Sequence, residues 1–394
     1  MAAGSVSPAA RVLIVGGGGT GAALAHDLAL RGLAVTLVER GEFISGTTGR
    51  HHGLLHSGAR YAVSDPESAV ECIEENRLLR KIAPGSFEEN DGLFVAIDDE
   101  DMDYLPQFLA GCEASGIPTQ ALSPAEALAL EPLLNPSLKA AVRVPDATMD
   151  AMRMPMRFLA TAKANGAELL NFVAVTGLLV GGGAVTGAAV HDHVTGRDAE
   201  IHADLIVNAT GPWSERIAGL AGVDVPIRPS PGVLVALRGR LCNMVVNHLH
   251  RSGDGDIVVP QRGLSIVGTS SWVVEDPDEL EVPEDHVRRM YEEGSRLIPA
   301  VRTAEFRSAW SAARPLIGTR EADTGRELSR TFKTIDHADT DGVDGFITIT
   351  GGKATTLRGM AELCADVVCR KLGIDEPCRT RDTVLLAHTA LLAA

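Results

Sequence analysis

The pattern of hydrophobic and polar positions predicts a strand, a glycine turn and a helix at the start of the chain. Residues 12–15 form a short apolar run, mostly β-branched, as a buried parallel strand requires. The sequence GGGGTG (16–21) follows, and then an Ala/Leu-rich stretch at helical spacing. A second apolar strand, residues 34–38, ends at Glu39. This order of elements is typical of a βαβ unit that binds a dinucleotide.

Three glycines of this turn each have a separate physical role. Gly16 permits the tight turn, Gly18 lets a pyrophosphate approach the backbone, and Gly21 lets the helix pack closely on the sheet. The N-terminus of the helix offers free N–H groups to the phosphates. Glu39, 23 residues after Gly16, is spaced to accept hydrogen bonds from both ribose hydroxyls. We therefore predict that a dinucleotide binds here.

Further βα units are predicted in the middle and at the end of the chain. Residues 205–208 predict a buried strand that leads into ATGPW (209–213), and residues 344–349 predict another that leads into TGGK (350–353) and a long helix. A hairpin is predicted around the glycines at 181–183. The predicted fold class is α/β combined with α+β, in two domains. The discontinuous, Rossmann-like nucleotide domain comprises residues 1–80, 145–222 and 331–394, and an inserted mixed-sheet domain comprises residues 81–144 and 223–330.

The charge and composition of the chain disfavour some classes of binding partner. The 394 residues carry a net charge of −16, which opposes binding to nucleic acid or to an anionic membrane surface because like charges repel. An anionic substrate would therefore need a local cluster of Arg or Lys. The six cysteines are scattered without a C-x-x-C pair, so we expect reduced thiols and no metal site. With no signal segment and no membrane-length apolar run, we expect a cytoplasmic protein, peripheral at most at the inner face of the membrane.

Taken together, the motifs resemble the FAD-dependent glycerol-3-phosphate dehydrogenase family, in particular the anaerobic large-subunit type, within the D-amino-acid-oxidase-like flavoproteins. The stretch GLLHSGARY (53–61) is far more specific than the glycine fingerprint. The resemblance spans nearly the full chain and rests on GGGGTG (16–21), TLVERG (36–41), TTGRHHGLLHSGARYAVSD (47–65), DGLF (91–94), VPDATMD (144–150), VNATGPW (207–213), GDIVVP (255–260), VGTSS (267–271), ARPL (313–316) and TGGKATTLR (350–358).

FAD is the cofactor that this resemblance implies, and the second and third glycine motifs favour it, since an NAD domain would not need them. A helix start after the last motif would stabilise negative charge on the reduced flavin. The alternative interpretation of that motif is a simple turn before a helix. The residues expected to contact FAD are Gly16, Gly18, Gly21, Glu39, Arg40, Thr47, Thr48, Gly49, Gly53, Val175, Gly211, Gly352, Lys353 and Thr355.

The resemblance also assigns basic residues to the substrate. Arg314, Arg330 and Lys353 match positions that hold its anionic part, and Arg60 with Tyr61 matches a further pair in the pocket. Arginine suits a phosphate because its planar guanidinium donates two charge-assisted hydrogen bonds. The alternative is structural ion pairing with the many acids of the chain.

Oxidation of an alcohol requires a base for the hydroxyl proton, and histidine is suited to this because its pKa lies near working pH. His51, His52 and His56 all lie in the loop that the resemblance places beside the flavin. His56 is the first candidate for the base and His52 the second, with Arg314 completing the catalytic set. A structural role remains the alternative for each histidine.

Two other polar stretches have plainer interpretations. His248, His250 and Asp254 could be read as a metal cluster, but their irregular spacing favours a surface loop. The acidic run 275–284 predicts a solvated loop that leads into a helix.

We predict that the protein oxidises sn-glycerol 3-phosphate, or a close polyol phosphate, to dihydroxyacetone phosphate. FAD accepts the hydride, and electrons pass to a quinone or an iron–sulfur partner subunit, so a homo- or hetero-oligomer is expected. The chain departs from the family at Pro231, where a Lys is usual, at His51 (Asn) and at Leu357 (Tyr), and a C-terminal cysteine-rich domain is not expected. A 2-hydroxyacid dehydrogenase or oxidase, and a flavin-binding subunit that works only in a complex, remain the alternatives.

Overall fold

The computed structural model describes residues 9–251, 253, 255–318 and 331–392. Its strands are β1 (Arg11–Val15), β2 (Ala34–Glu39), β3 (Leu54–Leu55), β4 (Phe87–Glu88), β5 (Gly92–Ala96), β6 (Gln120–Leu122), β7 (Ala140–Val144), β8 (Ala147–Met149), β9 (Glu168–Asn171), β10 (Val173–Gly181), β11 (Ala184–Asp192), β12 (Arg197–His202), β13 (Leu205–Asn208), β14 (Ile227–Arg238), β15 (Val245–His248), β16 (Ile257–Gln261), β17 (Leu264–Gly268), β18 (Phe306–Ile317), β19 (Phe332–Asp336) and β20 (Phe346–Gly351). Its helices are α1 (Gly19–Leu30), α2 (Pro66–Ile82), α3 (Asp99–Ala114), α4 (Pro124–Leu130), α5 (Arg153–Ala164), α6 (Ser214–Gly219), α7 (Glu284–Leu297), α8 (His337–Thr340) and α9 (Leu357–Leu372).

A six-stranded sheet carries the predicted glycine motifs. Its strand order is β19-β20-β13-β1-β2-β9, and every pair is parallel except the edge pair β19–β20. Strands β1, β2, β13 and β20 therefore all end at the same edge of the sheet. Ligands bind at this edge in open α/β sheets, at the point where the strand order reverses.

Strand β1 is apolar throughout because both faces of this sheet are covered. Val12 and Ile14 pack in one core with helices α1, α5 and α9. Leu13 and Val15 point to the opposite face, where they pack with strands β10 and β11. Strands β10 and β11 form the predicted hairpin, with Gly181 paired to Ala184, and that prediction is confirmed.

An eight-stranded sheet forms the second large layer. Its order is β18-β14-β17-β16-β15-β5-β7-β6, and every pair is antiparallel except β15–β5. The predicted combination of a largely parallel sheet with a mixed sheet is confirmed. The domain boundaries drawn from the sequence remain a proposal.

Two prolines, Pro229 and Pro231, lie in the first half of β14, where a proline ordinarily interrupts a strand pattern. In the structure both prolines belong to the strand and pair with β18, opposite Pro315 and Ala313. Strand β17 pairs only with the later part of β14, from Leu234 onward. Among the described residues, the other edge of this stretch has no strand partner, so a missing N–H donor is tolerated there.

A buried ion pair joins helices α2 and α9. Arg358 donates hydrogen bonds from Nε and Nη2 to the carboxylate of Glu75, and both side chains are almost fully buried. Arg358 also donates to Glu362 at 2.7 Å and to Thr380 at 3.0 Å. One arginine thus connects two helices and the C-terminal segment.

Removing the carboxylate of this pair should destabilise the fold, because a buried guanidinium loses one of its two charged partners. We expect Glu75→Gln to lower the free energy of unfolding by about 3 kcal/mol in urea denaturation. Asp382→Asn is the matched control, since its pair with Lys81 is exposed and should not affect the unfolding midpoint measurably. Equal midpoints for wild type and Glu75→Gln would contradict this role of the pair.

Candidate active site

A cavity of about 1530 Å³ lies between the edge of the six-stranded sheet where β1, β2, β13 and β20 end and one face of the eight-stranded sheet. It is larger than the roughly 300–1,000 Å³ that is usual for a site holding one drug-sized molecule. Every predicted site residue in the described ranges lines it, except Gly21, Gly49, Gly53 and Thr355, which lie in or behind its wall. Arg330 lies outside the described residues.

The glycine turn at the end of β1 is as tight as the sequence predicts. Gly16 has a φ of +108°, which favours glycine, and a Cβ there would lie 2.7 Å from the carbonyl oxygen of Ala209. A Cβ on Gly21 would lie 2.0 Å from the carbonyl oxygen of Gly16. At Gly18, by contrast, the nearest atom of the described residues to a Cβ would be Thr48 Oγ1, at 3.5 Å. Gly18 therefore leaves open space beside the start of α1.

The side chain of Glu39, at the end of β2, is fixed by two backbone N–H groups. Its carboxylate accepts hydrogen bonds from the N–H groups of Gly17 at 2.8 Å and Gly41 at 2.9 Å. A carboxylate has about four acceptor positions, so Glu39 retains capacity for the hydroxyls of a ribose.

The loop between β2 and β3 crosses from the first sheet to the second. Thr48 Oγ1 accepts a hydrogen bond from the N–H of Gly19 at 3.0 Å, and Thr47 donates to the carbonyl of Ala313 at 2.7 Å. A Cβ on Gly49 would collide with the Ile44 carbonyl oxygen, at 2.3 Å. These contacts fix the loop against both the helix start and strand β18.

Two further glycine turns complete the edge of the cavity. Gly211 has a φ of +59° and follows β13, while Gly352 has a φ of +75° and follows β20. Thr355, just before α9, accepts a hydrogen bond from the backbone N–H of His56 at 3.0 Å. Val175, on β10, lines the cavity beside them. The three glycine motifs of the sequence therefore converge on one cavity.

Three histidines and a tyrosine form a row along the cavity wall. Ring centroids are 6.2 Å apart for His51 and His52, 6.1 Å for His52 and His56, and 5.6 Å for His56 and Tyr61. Burial lowers the pKa of His51 to about 4 and that of His52 to about 3. Burial, and then the neighbouring groups His52, Arg60 and Lys353, hold the pKa of His56 well below 6.5. All three rings are therefore neutral at pH 7.

Arg60 and Lys353, two of the basic residues predicted to bind the substrate, line the same cavity as the histidines. Arg60 Nη2 lies 2.7 Å from both carboxylate oxygens of the buried Asp256. Burial is the largest influence on the pKa of Asp256 and would raise it, but the charge of Arg60 and the hydrogen bonds to the carboxylate together keep that pKa well below its usual range. Lys353 donates to Ser68 Oγ at 2.8 Å, and its Nζ lies 5.2 Å from the ring centroid of Tyr61.

Arg314, on β18, donates hydrogen bonds to oxygens of β14 and of the segment that follows β17. Nη1 donates to the carbonyls of Ser230 at 3.1 Å and Pro231 at 3.2 Å. Nη2 donates to Thr269 Oγ1 at 2.9 Å and to the carbonyl of Ser270 at 3.2 Å. The substituted Pro231 thus supplies one of the carbonyls that orient this arginine.

The acidic run 275–284 is a largely exposed loop that leads into α7, as the sequence predicted, but one of its carboxylates is engaged by three side chains. Asp278 accepts hydrogen bonds from Arg40 at 2.6 Å, Arg216 at 2.5 Å and the indole of Trp213 at 2.8 Å. Arg40 also stacks over the Trp213 ring, 4.6 Å from its centroid. The sequence carried no signal for this network, because its members come from the residue after β2, the turn after β13, helix α6 and the loop after β17.

His248 was wrongly expected in a surface loop. It is buried on β15, and its Nε2 lies 2.9 Å from Asp101 Oδ2. Asp254 lies outside the described residues. Within the described ranges, no group of three or more His, Cys, Asp or Glu is arranged to hold a metal ion. None of the helices described is long and apolar enough to cross a membrane.

The family described as FAD dependent oxidoreductase, DAO, matches residues 11–367. The chain belongs to this flavoprotein family. FAD is therefore its cofactor, as the sequence predicted.

Individual members of the flavoprotein family resemble the chain closely. It is 43% identical over 381 residues to a subunit of the anaerobic glycerol-3-phosphate dehydrogenase of Escherichia coli K12, covering 96% of this chain and 70% of the relative. It is 45% identical to the corresponding subunit of Haloferax volcanii, covering 95% and 66%. The Bacillus halodurans glycerol-3-phosphate dehydrogenase, solved with FAD, has a TM-score of 0.75 at 24% identity, covering 96% and 69%. An L-α-glycerophosphate oxidase of Mycoplasma pneumoniae with FAD bound has a TM-score of 0.74 at 20% identity, covering 95% and 97%. The likeness to these two structures concerns the fold.

The residues of the cavity fit this cofactor. Glu39 presents a carboxylate where a ribose would lie, and the start of α1, where Thr48 accepts from the N–H of Gly19, has further N–H groups for phosphates. Gly18 leaves the space that a pyrophosphate needs at that helix start.

We expect Gly18→Ala to weaken FAD binding while the apoprotein stays folded. Its backbone is extended, with φ −74° and ψ −175°, so alanine is tolerated, but the new methyl group would enter the space of the pyrophosphate. FAD affinity, measured by flavin fluorescence quenching, should fall about tenfold or more, which corresponds to about 1.4 kcal/mol or more.

The matched control for this experiment is Gly263→Ala, in an open turn with no described atom within 4 Å of a Cβ. It should bind FAD like the wild type. An unchanged FAD affinity in Gly18→Ala would contradict the assigned position of the pyrophosphate.

Proposed function

We propose that this protein oxidises the secondary alcohol of sn-glycerol 3-phosphate to dihydroxyacetone phosphate with FAD. The observation that carries the proposal is a single cavity with the dinucleotide-binding edge on one side and neutral histidines beside Arg60, Arg314 and Lys353 on the other. An alcohol that carries an anion needs this combination of a proton acceptor and nearby cations. The names of the bacterial and archaeal relatives support the same substrate.

The phosphate is held by the cations of the cavity. Arg60 uses Nη2 for Asp256, while its Nε and Nη1 make no hydrogen bond to the residues that the structure describes. These N–H groups are available for a phosphate, which arginine binds through two parallel hydrogen bonds. Arg314 lines the same cavity, and its guanidinium is oriented by hydrogen bonds to Ser230 and Thr269. Lys353 adds a third positive charge on the same cavity.

The proton of the alcohol passes to His56. The position of this residue is fixed from two sides, because Thr355 accepts from its N–H at 3.0 Å and Asn76 donates to its carbonyl at 3.0 Å. Its ring makes no hydrogen bond to the described residues, so a nitrogen lone pair is available to the substrate. Bound FAD supplies the hydride acceptor.

The domain boundaries of the sequence analysis belong to this proposal, with one domain binding FAD and the other closing over the substrate.

Electrons leave the protein through a partner. The E. coli and Haloferax relatives are both named as subunits of an anaerobic dehydrogenase, and the chain spans about 70% of the former. We propose that further subunits, or a membrane quinone, receive the electrons here as well. Transfer to a quinone would bring the protein to the inner face of the cell membrane as a peripheral protein.

Anaerobic reduction of the bound flavin tests the proposed substrate. On addition of sn-glycerol 3-phosphate the flavin absorption should bleach rapidly, while glycerol and an unphosphorylated 2-hydroxyacid should leave it oxidised. A flavin that dithionite reduces but glycerol 3-phosphate does not would contradict the proposal. Equal reduction by the 2-hydroxyacid would favour the alternative dehydrogenase. Peroxide formation in air would assign an oxidase.

Loss of a cation should weaken substrate binding in the same assay. We expect Arg314→Ala to raise the apparent Kd of glycerol 3-phosphate about 10- to 100-fold, since one charge-assisted contact contributes about 1.5–3 kcal/mol. Arg262→Ala, which removes an exposed arginine paired with Asp150, is the matched control and should not change the Kd. An unchanged Kd in Arg314→Ala would remove this residue from the phosphate site.

The rate of flavin reduction should depend on His56 and should not decline near the ordinary histidine pKa. We expect His56→Gln to lower the limiting rate about 10²- to 10⁴-fold at unchanged FAD content. Because the pKa of His56 is lowered, the ring stays unprotonated and able to accept a proton from pH 8 down to pH 6.5. The limiting rate, measured by stopped flow at saturating substrate, should be constant over that range. A loss of half the rate by pH 6.5 would show that the base has an unshifted pKa.

A further inference from the structure

His52 lies in a turn that fixes both its backbone and the tautomer of its ring. Its Nδ1 accepts a hydrogen bond from the backbone N–H of Leu54 at 3.2 Å. Its carbonyl accepts a hydrogen bond at 3.1 Å from the amide of Gln261, which also donates to the carbonyl of Met149 at 3.0 Å. In a neutral imidazole one nitrogen accepts and the other carries the proton. The proton of His52 is therefore on Nε2.

The surroundings of His52 keep the ring neutral. Burial lowers its pKa to about 3, and His51, Arg60 and Arg314 act in the same direction, while Asp256 opposes them. The nearest ring on the other side is His56, 6.1 Å away and also neutral at pH 7. With its only lone pair already engaged by Leu54, the ring has nothing to accept a substrate proton with. It can only donate.

His52 shares the cavity with two arginines. Arg60 and Arg314 line the same cavity as His52, and both lower the pKa of its ring. A neutral N–H in this cavity adds a hydrogen bond for an anion without adding repulsion between cations. A protonated His52 ring would be repelled by both arginines, so the ring stays neutral and donates its Nε2 proton in a hydrogen bond.

We propose that His52 is a fixed, neutral hydrogen-bond donor to the anionic group of the substrate and does not act as the base. This inference rests on the proposed function and assigns different roles to two histidines of the same loop. His56 takes the proton of the alcohol, and His52, with Arg60 and Arg314, binds the phosphate.

Two substitutions separate a donor from a base. His52→Gln keeps a neutral N–H group, and His52→Leu removes it. We expect His52→Leu to weaken binding of inorganic phosphate and of glycerol 3-phosphate about tenfold or more. We expect His52→Gln to stay within about threefold of the wild type in phosphate binding and in the limiting rate of flavin reduction, since the donor is kept. Phosphate binding is read from the perturbation of the flavin spectrum in the FAD-loaded protein, without turnover.

His202→Leu is the control for these variants. His202, on β12, is exposed and does not line the cavity. This variant should bind phosphate like the wild type. Equal FAD content in all variants shows that they are folded.

Three outcomes would overturn the inference. The first is a His52→Leu variant that binds phosphate as tightly as the wild type, and the second is a wild type whose flavin spectrum phosphate does not perturb. The third is a loss of the limiting reduction rate by 100-fold or more in His52→Gln, which would identify a base. If phosphate binding depends on His52 but glycerol 3-phosphate does not reduce the flavin, the proposed substrate is wrong and the anion donor stands.

Discussion

The close approach of helix α1 to the glycine turn is the constraint on which the rest of the structure depends. A Cβ at Gly21 would lie 2.0 Å from the carbonyl oxygen of Gly16, so any larger residue would push the helix away from β1. Gly16 in turn packs against the Ala209 carbonyl, which ties the turn to the end of β13. Only with these contacts in place do the start of α1, Glu39 and the turn at Gly211 face a common space.

The loop after β2 connects the glycine turn to the part of the cavity proposed to bind the substrate. Thr48 is fixed to the helix start and Thr47 to strand β18, the strand that also carries Arg314. Gln261, at the end of β16, secures the backbone of the histidine turn, and Asp256, just before β16, fixes Arg60. The position of the cofactor and the position of the anion are therefore linked through hydrogen bonds between two sheets, which is how one cavity can align an alcohol with a flavin.

Local patterns predicted the parts of this molecule that local physics determines. The apolar run before Gly16, the hairpin at Gly181 and the acid at Glu39 follow from periodicity, turn chemistry and spacing. The partners of the side chains could not be predicted in this way. Arg60 bonds to Asp256, nearly 200 residues away, Arg314 is oriented by carbonyls across the β14–β18 pairing, and Asp278 joins Arg40 and Arg216. The contacts of Arg314 also depend on the register between β14 and β18, which Pro229 and Pro231 made hard to predict from the sequence.

The central claim is that the cavity aligns the C2–H bond of glycerol 3-phosphate with the flavin while His56 accepts the hydroxyl proton. The most direct test is stopped-flow flavin reduction by glycerol 3-phosphate that carries deuterium at C2. The account predicts that the deuterated substrate reduces the flavin several-fold more slowly at saturation, with an unchanged Kd. Equal limiting rates for the two substrates, under conditions where reduction itself is the step observed, would contradict transfer of that hydrogen to the flavin.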